Sequence, residues 1–495
     1  MNPIKDIIIV GGGTAGLISA LIFKTAFPHY NVKIIKSSSI GIIGVGEGST
    51  EHWSDFQKYV GINPWELITK TDATLKLGIL FKNWKEIGSS YVHSIIFPGS
   101  DPSPIGHPEL YNILATHNTN NPYILSGEFD KFIKENSISL SNDLIPTNQF
   151  HFDTFKLNEY LQKVCKEKNI LIENHLIKDV NLDNQGNIFS LITSTNKIIQ
   201  GDFFIDCTGF KRLLSSKLGT KFISYKNYLP MDSAITLPSN LDLDKGIEPY
   251  TKASALSSGW TWKIPTQKRY GNGYVFSSNY ISSDEALNEL NQHLNINTEK
   301  ASKHIQFETG RIDKSWVKNC VSIGLSSGFV EPLEAQSIGS SIVQSFALIN
   351  YFQTWLLNPK SSNKYNQQMS DTFDNTVDYI QLHYYSKRND SKFWKDKPFE
   401  LTPFNKESFI PFSKGNFSEP IFFSKPYLMF KALNFYQIYY GLDLLDKKSI
   451  SNIIQHTPQY QLNEIENSYK HFLKKQLPRM KHNDILKNIK LNYSS

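Results

Sequence analysis

The chain has 495 residues, of which 40% are hydrophobic and 20% charged, and a net charge of +6. This is the composition of a soluble globular protein long enough to bury a large core in two or more lobes. Beyond the N-terminal stretch no apolar run reaches 18 residues, so no membrane span is expected. Cys165, Cys207 and Cys320 are scattered, fit a reducing cytoplasm and offer no metal-ligand spacing.

Ile7–Val10 is β-branched, breaks into Gly11, Gly12, Gly13 and Gly16, and is followed by an apolar segment with helical character. Strand, tight turn and helix match G-x-G-x-x-G, whose small residues let a backbone approach a pyrophosphate at a helix N-terminus. A charged Lys5 before an apolar stretch also resembles a secretory leader, but the glycines at the strand exit and the absence of a convincing cleavage site argue against that. Asn31–Ile35 reads as the second strand of a βαβ unit. The acidic ribose partner expected about 20 residues past the glycines is replaced by Lys36. An ammonium donates hydrogen bonds but cannot accept one from a ribose hydroxyl. A 2′-phosphate would be one use for a cation there. The second glycine-rich turn, Gly41–Thr50 with Gly46 and Glu47 in it, suggests instead close backbone approach to a flat cofactor.

Thr74–Phe81 alternates as a half-buried strand, placing Lys76 beside Gly78. Such a lysine either snorkels to water or, if buried, has a lowered pKa and is available for chemistry. Residues 86–150 show no clear period and read as a lid or substrate wall. Phe150–Asp153 leads into a helix, and Phe203–Gly209 is a strand ending in a small-residue turn. Trp260 and Trp262 share one face of an extended segment and wall a cavity or fill a core. Asn319–Ile338 repeats the strand, glycine turn and helix design. With Pro332 at the first helical position, Glu334 falls in the first turn, where its charge is favoured and the N–H groups near Gln336 and Ser337 suit an anion. Beyond residue 352 the chain is helical. The aromatics from Phe393 to Phe423 cap an aromatic pocket or fill the space between helices. The basic residues from Lys470 to Lys490 read as the solvated face of helices whose other face carries Leu462, Ile465, Tyr469, Phe472 and Leu473, with a nucleic-acid surface as the alternative.

Taken together, GGGTAG, GVGEGST, TLKLGILFKNW, FHFD, FFIDCTGFKRLL, YLPMDSA, SGWTWKIP, GYVFSSNYIS, GFVEPLEAQSI and QLHYYSKRND resemble the flavin-dependent halogenases of the tryptophan-halogenase type, over about residues 4–395. The resemblance implies an α/β fold: a Rossmann-like FAD-binding domain over 1–350 and a mainly helical substrate-binding lobe over 351–495. FAD would be held by Gly11, Gly13, Thr14, Ala15 and Gly16, with Lys36, Gly46 and Glu47 beside it and Asp206, Gly209 and Gly324 completing the site. A separate reductase would deliver the flavin as FADH2, and oxygen and a halide would then yield hypohalous acid. Gln336 and Ser337 fall where the family holds its halide. Lys76 matches the lysine that takes up the hypohalous acid, and Glu334 the glutamate that steadies or deprotonates the arene. Trp260, Trp262, Ile264 and Pro265 would separate flavin from substrate.

Ala335 and Gln336 stand where the family often has a Ser-Thr pair, which leads us to expect bromide or iodide to be accepted at least as well as chloride. No segment that would clamp a free amino acid is recognisable, so the expected substrate is an indole or another electron-rich aromatic. A flavin monooxygenase hydroxylating an aromatic, and a flavoprotein without turnover, are the alternatives. Neither a metal, a nucleic acid nor a membrane is expected as a partner; a homo-oligomer is compatible with the sequence.

Overall fold

The computed structural model describes residues 4–42, 46–95, 132–139, 147–242, 244–475 and 477–493. The chain divides into two compact units that alternate along the sequence: residues 1–73, 152–226 and 308–374 in the first, and 74–151, 227–307 and 375–495 in the second. This division differs from the sequential break expected near residue 350. The regular elements after that point are helices apart from the short strand Arg479–Lys481, among the described residues.

The first unit is built on a six-stranded sheet in the order Trp316–Val317, Cys320–Ser322, Phe203–Asp206, Asp6–Val10, Asn31–Lys36 and Leu171–Asn174. Its strands run parallel except at the Trp316–Val317 edge. Ile7–Val10 is buried on both faces, as parallel sheets require. Ile8 and Val10 pack with Leu191 and Ile199 of a three-stranded antiparallel sheet. The stretch with leader-like composition is therefore a central strand and the buried helix Thr14–Ala26. That helix meets the long helix Gln336–Leu357 through the Ser19 and Ser345 hydroxyls, 3.0 Å apart. The chain leaves Asp6–Val10 for Asn31–Lys36 on one side, while Phe203–Asp206 lies on the other, so the glycine turn sits at the switch point of the sheet.

The second unit is organised on a larger sheet. Its main path runs Lys303–Gln306, Ser233–Thr236, Arg269–Phe276, Gly259–Pro265, Thr251–Ala255, Gly78–Lys82 and Ser90–Ser94. Thr74–Phe81 is not one half-buried strand. It breaks at Leu77 into Thr74–Lys76, which pairs with Gln149–Phe152, and Gly78–Lys82, which joins the large sheet, and every residue from Thr74 to Phe81 is buried. The Leu77 N–H donates to the Pro249 carbonyl at 2.7 Å, which fixes the change of partner. Among the aromatics after Phe393, Phe412 stands 4.6 Å from Phe417 and 5.7 Å from Phe435, and all three are buried, so this group fills a core. The basic residues near the end are partly structural as well: Arg479 donates to Ser137 Oγ at 3.0 Å and stacks 4.3 Å from the Phe132 ring. Leu462 and Ile465 are buried as the helical spacing predicts. Of the expected substrate wall, residues 96–131 and 140–146 lie outside the described residues, as do Gly44 and Val45 of the second glycine turn.

Candidate active site

In the first unit, the glycines at the end of Asp6–Val10 each answer a different demand. Gly11 has φ +122°, and a Cβ on it would collide with the Cys207 carbonyl. On Gly16 a Cβ would strike the Gly11 carbonyl, whereas on Gly13 it would meet nothing within 4 Å. Gly13 thus borders open space at the start of Thr14–Ala26, and this helix has neither a side-chain cap nor an acidic residue in its first turn. Exposed N–H groups, the positive end of the helix dipole and a bare backbone fit the pyrophosphate of the expected flavin.

Around this turn gather Gly324, Gly209, Asp206 and Lys36 of the expected cofactor residues. Gly324, with φ +71°, would place a Cβ 2.7 Å from that of Ala15, and its N–H donates to Gln344 Oε1 at 2.8 Å. Ser326 Oγ donates to the Gly209 carbonyl at 3.3 Å, tying the two turns together. Asp206 is fully buried, and its carboxylate accepts from Thr208 N and Oγ1, Leu214 N and Ser215 N at 2.7–3.0 Å. It shapes the turn and caps the Leu213–Lys217 helix. Lys36 ends its strand beside Gly12, as its spacing implies, and donates to Gln162 Oε1 at 2.6 Å. Gln162 in turn donates to Asn158 Oδ1 at 2.6 Å, and Asn158 to the Gly12 carbonyl at 2.9 Å. The cation that replaces an acid is thus wired through two amides to the glycine turn. Gly46 donates to Thr154 Oγ1 at 3.2 Å, and burial pushes the Glu47 carboxyl up to about 7.

Glu334 is not in the first turn of a helix. Pro332 precedes the short turn Leu333–Ala335, in which Glu334 has φ +69° and Ala335 φ +54°, and the helix begins at Gln336. Two consecutive left-handed residues with Cβ atoms each cost roughly 1–2 kcal/mol. They turn the chain so that the buried Glu334 stands before the helix, while Gln336 and Ser337 supply its first N–H groups. Ala335 caps nothing with its side chain, so those N–H groups keep their affinity for an anion. The Gln336 amide is turned away from them, donating to the Val330 carbonyl at 3.1 Å.

The second unit contains Lys76, Trp260, Trp262, Ile264 and Pro265. Lys76 is only 1% exposed and does not snorkel. Thr74 and Lys76, two apart on one strand, project to one face, together with their cross-strand partners His151 and Gln149. Thr147 Oγ1 holds the Lys76 carbonyl at 2.6 Å. The Leu75 N–H donates to His482 Nε2 at 3.1 Å, and His482 Nδ1 is 3.1 Å from the Ile247 carbonyl. Burial drives His482 down to about 4 and His151 well below its ordinary range, the latter helped by the Lys76 charge. Both rings are therefore neutral beside the lysine strand. The indoles of Trp260 and Trp262 lie 6.2 Å apart on Gly259–Pro265, with Trp260 buried and Trp262 half-buried. Sequence reasoning did not single out His151 and His482. His151 lies between two phenylalanines in FHFD, an alternation that puts it on the face opposite to them, but His482 is part of no local pattern.

A family model described as tryptophan halogenase matches residues 6–459. The tryptophan 6-halogenase SttH of Streptomyces toxytricini is 33% identical over 430 residues, 81% of this chain and 82% of that one. The tryptophan 7-halogenase RebH of Lentzea aerocolonigenes is 32% identical over 421 residues, covering 80% and 79%. Among solved structures, BrvH, a flavin-dependent halogenase from Brevundimonas sp. BAL3, superposes with a TM-score of 0.85 at 26% identity over 98% of this chain and 99% of its own. Tar14, a tryptophan C-6 flavin-dependent halogenase (chlorinase) from taromycin biosynthesis, gives 0.86 at 27% identity over 98% and 100%. These relatives are halogenases rather than hydroxylases, and none of these descriptions favours bromide or iodide.

Proposed function

The chain belongs to the tryptophan halogenase family of flavin-dependent enzymes, and from that premise we propose that it halogenates an indole-type, electron-rich aromatic ring through Lys76. The observation that carries this reading is the burial of Lys76 on a strand backed by two neutral histidines. A cation kept from water at such cost is a candidate for chemistry rather than for solubility.

The turn at Gly11–Gly16, with Ala15, Gly209 and Gly324, would hold FAD by its pyrophosphate. When bound and reduced, the flavin supplies with oxygen, a proton and a halide one equivalent of hypohalous acid and one of water. Lys76 Nζ then binds the hypohalous acid and directs its electrophilic halogen to the ring. The carbon–halogen bond forms as the halogen–oxygen bond breaks, the oxygen leaves as water, and Glu334 takes up or steadies the charge of the departing ring proton. The tryptophans exclude water and keep the arene from the flavin. The N–H groups of Gln336 and Ser337 seat the halide. Because those donors belong to the main chain and Gln336 replaces a smaller residue, a weakly hydrated anion is the easier one to desolvate. Bromide or iodide is then accepted at least as well as chloride.

The test pairs Lys76→Ala with the parent, using FAD, a separate reductase and a panel of tryptophan, indole and substituted indoles. Halide-dependent product from the parent, lost by two to four orders of magnitude in the variant with flavin binding retained, is expected. Unchanged product in Lys76→Ala, or hydroxylated product without halide, would overturn the proposal. In a mixture of equal chloride and bromide, a predominance of chlorinated product would overturn the halide preference alone.

A further inference from the structure

Four groups of the second unit form a hydrogen-bonded line. Thr74 Oγ1 lies 2.7 Å from the Pro265 carbonyl, which can only accept, so the single hydroxyl proton of Thr74 points there. His151 Nδ1, 3.0 Å from the same Thr74 oxygen, must then carry the proton of that second contact. A neutral ring protonated at Nδ1 has a bare Nε2, and Thr251 Oγ1, 3.0 Å away, donates to it. Each member thus fixes the hydrogen of the next, from Thr251 through His151 and Thr74 to Pro265. Every side chain in the line is buried.

The line connects four strands. Thr251 opens the strand that pairs in parallel with Gly78–Lys82, His151 lies directly across from Thr74, and Pro265 ends the strand of the two tryptophans. Thr74 and Lys76 occupy the same face of one short strand. Only Leu75 separates Thr74 from Lys76 along this strand. A shift of His151 is therefore passed to Lys76 with little room for local relaxation. The same ring cannot accept a second proton without losing its acceptor nitrogen to Thr251 and placing a second positive charge near Lys76.

We infer that His151 is a positioning residue for Lys76, held in one tautomer by Thr251 and Thr74 so that it locks the lysine strand to the Pro265 carbonyl at the end of the tryptophan strand. This rests on the reading of Lys76 as the residue that delivers the halogen. It adds to that reading a named device for holding the lysine in place, made of two hydroxyls and an imidazole that need never touch the substrate.

The experiment compares Thr74→Val, Thr251→Val and Thr74→Ser with the parent and with Lys76→Met, in full-length enzyme supplied with FAD, reductase and bromide. Loss of either hydroxyl is expected to lower kcat at least tenfold. KM for the aromatic substrate should stay within twofold, and less product should form per flavin oxidised. Thr74→Ser, which keeps the hydroxyl, should regain at least half of the loss. If Lys76→Met retains activity, the assignment of Lys76 itself fails. If Lys76→Met is inactive while both valine variants match the parent, or if Thr74→Ser is as impaired as Thr74→Val, the role of His151 fails. Because a valine variant can lose activity by misfolding, the tautomer is also read directly in the parent. Nitrogen-15 spectra of histidine-labelled protein, with the His151 signal assigned by its disappearance in His151→Asn, should show the proton on Nδ1. A proton on Nε2 would overturn the inference irrespective of any variant.

Discussion

The indole of Trp262 lies so close to Gly273, its cross-strand neighbour, that a Cβ on that glycine would collide with Cζ2 and Cη2 of the ring. The glycine in the GNGYVF stretch is therefore the complement of the second tryptophan in WTWKIP. Gly273→Ala should displace the indole and cost about 1–3 kcal/mol through overpacking. The expected outcome is a lower unfolding midpoint and less product per flavin oxidised, with flavin affinity unchanged. An alanine variant with parental coupling would remove Trp262 from the partition.

Gly11 and Gly13, two residues apart, should respond oppositely to the same substitution. At Gly11 the left-handed φ and the Cys207 carbonyl leave no place for a side chain, so Gly11→Ala is expected to destabilise the fold itself. At Gly13 the added methyl projects into open space, and Gly13→Ala should unfold at the parental temperature while binding FAD at least tenfold more weakly. Thermal unfolding without flavin and a fluorescence titration with it separate the two effects.

Acid should loosen the second unit through His482. Its folded pKa, about 4, lies below the ordinary value of 6.5, so the unfolded chain binds more protons in between. Stability is then full above about pH 6.5 and falls as the pH drops towards 4, by roughly 3 kcal/mol for this one group. His482→Gln, which has no proton to gain, should be less stable at pH 7.5 but flatter between pH 6.5 and 4.5. Equal slopes for variant and parent in denaturant unfolding would refute this.

Gln336 ties the start of its helix to the preceding loop through the Val330 carbonyl. In Gln336→Leu that carbonyl loses a buried donor, at a cost of about 1–3 kcal/mol. The turn bearing Glu334 should loosen, and the halide concentration for half-maximal rate should rise several-fold, with a smaller change for the aromatic substrate. Steady-state titration of each in turn checks this.

The βαβ start was legible in the sequence because everything that shapes it is local: a β-branched run, glycines at the strand exit, and an apolar helix. Trp260 and Trp262 were legible for the same reason, as alternation alone places them on one face. The burial of Lys76 was not. A period of two reports which residues share a face, but the second face is covered by Gln149–Phe152 and by His482, which no local pattern announces. Glu334 was misplaced because Pro332 is an ordinary first residue of a helix, and two consecutive left-handed residues without glycine leave no compositional mark. The break expected near residue 350 differs from the observed division on a similar ground. A change from mixed to helical content records secondary structure, whereas the units are defined by which segments return to the same core.

His482 Nε2 accepts the Leu75 N–H hydrogen bond across 407 positions of sequence. On the ribosome, the strand that presents Lys76 cannot acquire this partner until the 407 residues that follow Leu75, up to His482, have been made. The backing of Lys76 is thus assembled late, and a chain that stops short of His482 carries the glycine turn without it. Removal of the helix that starts at His482 would act in the same way on the mature protein, disarming the lysine from a point that no motif identifies.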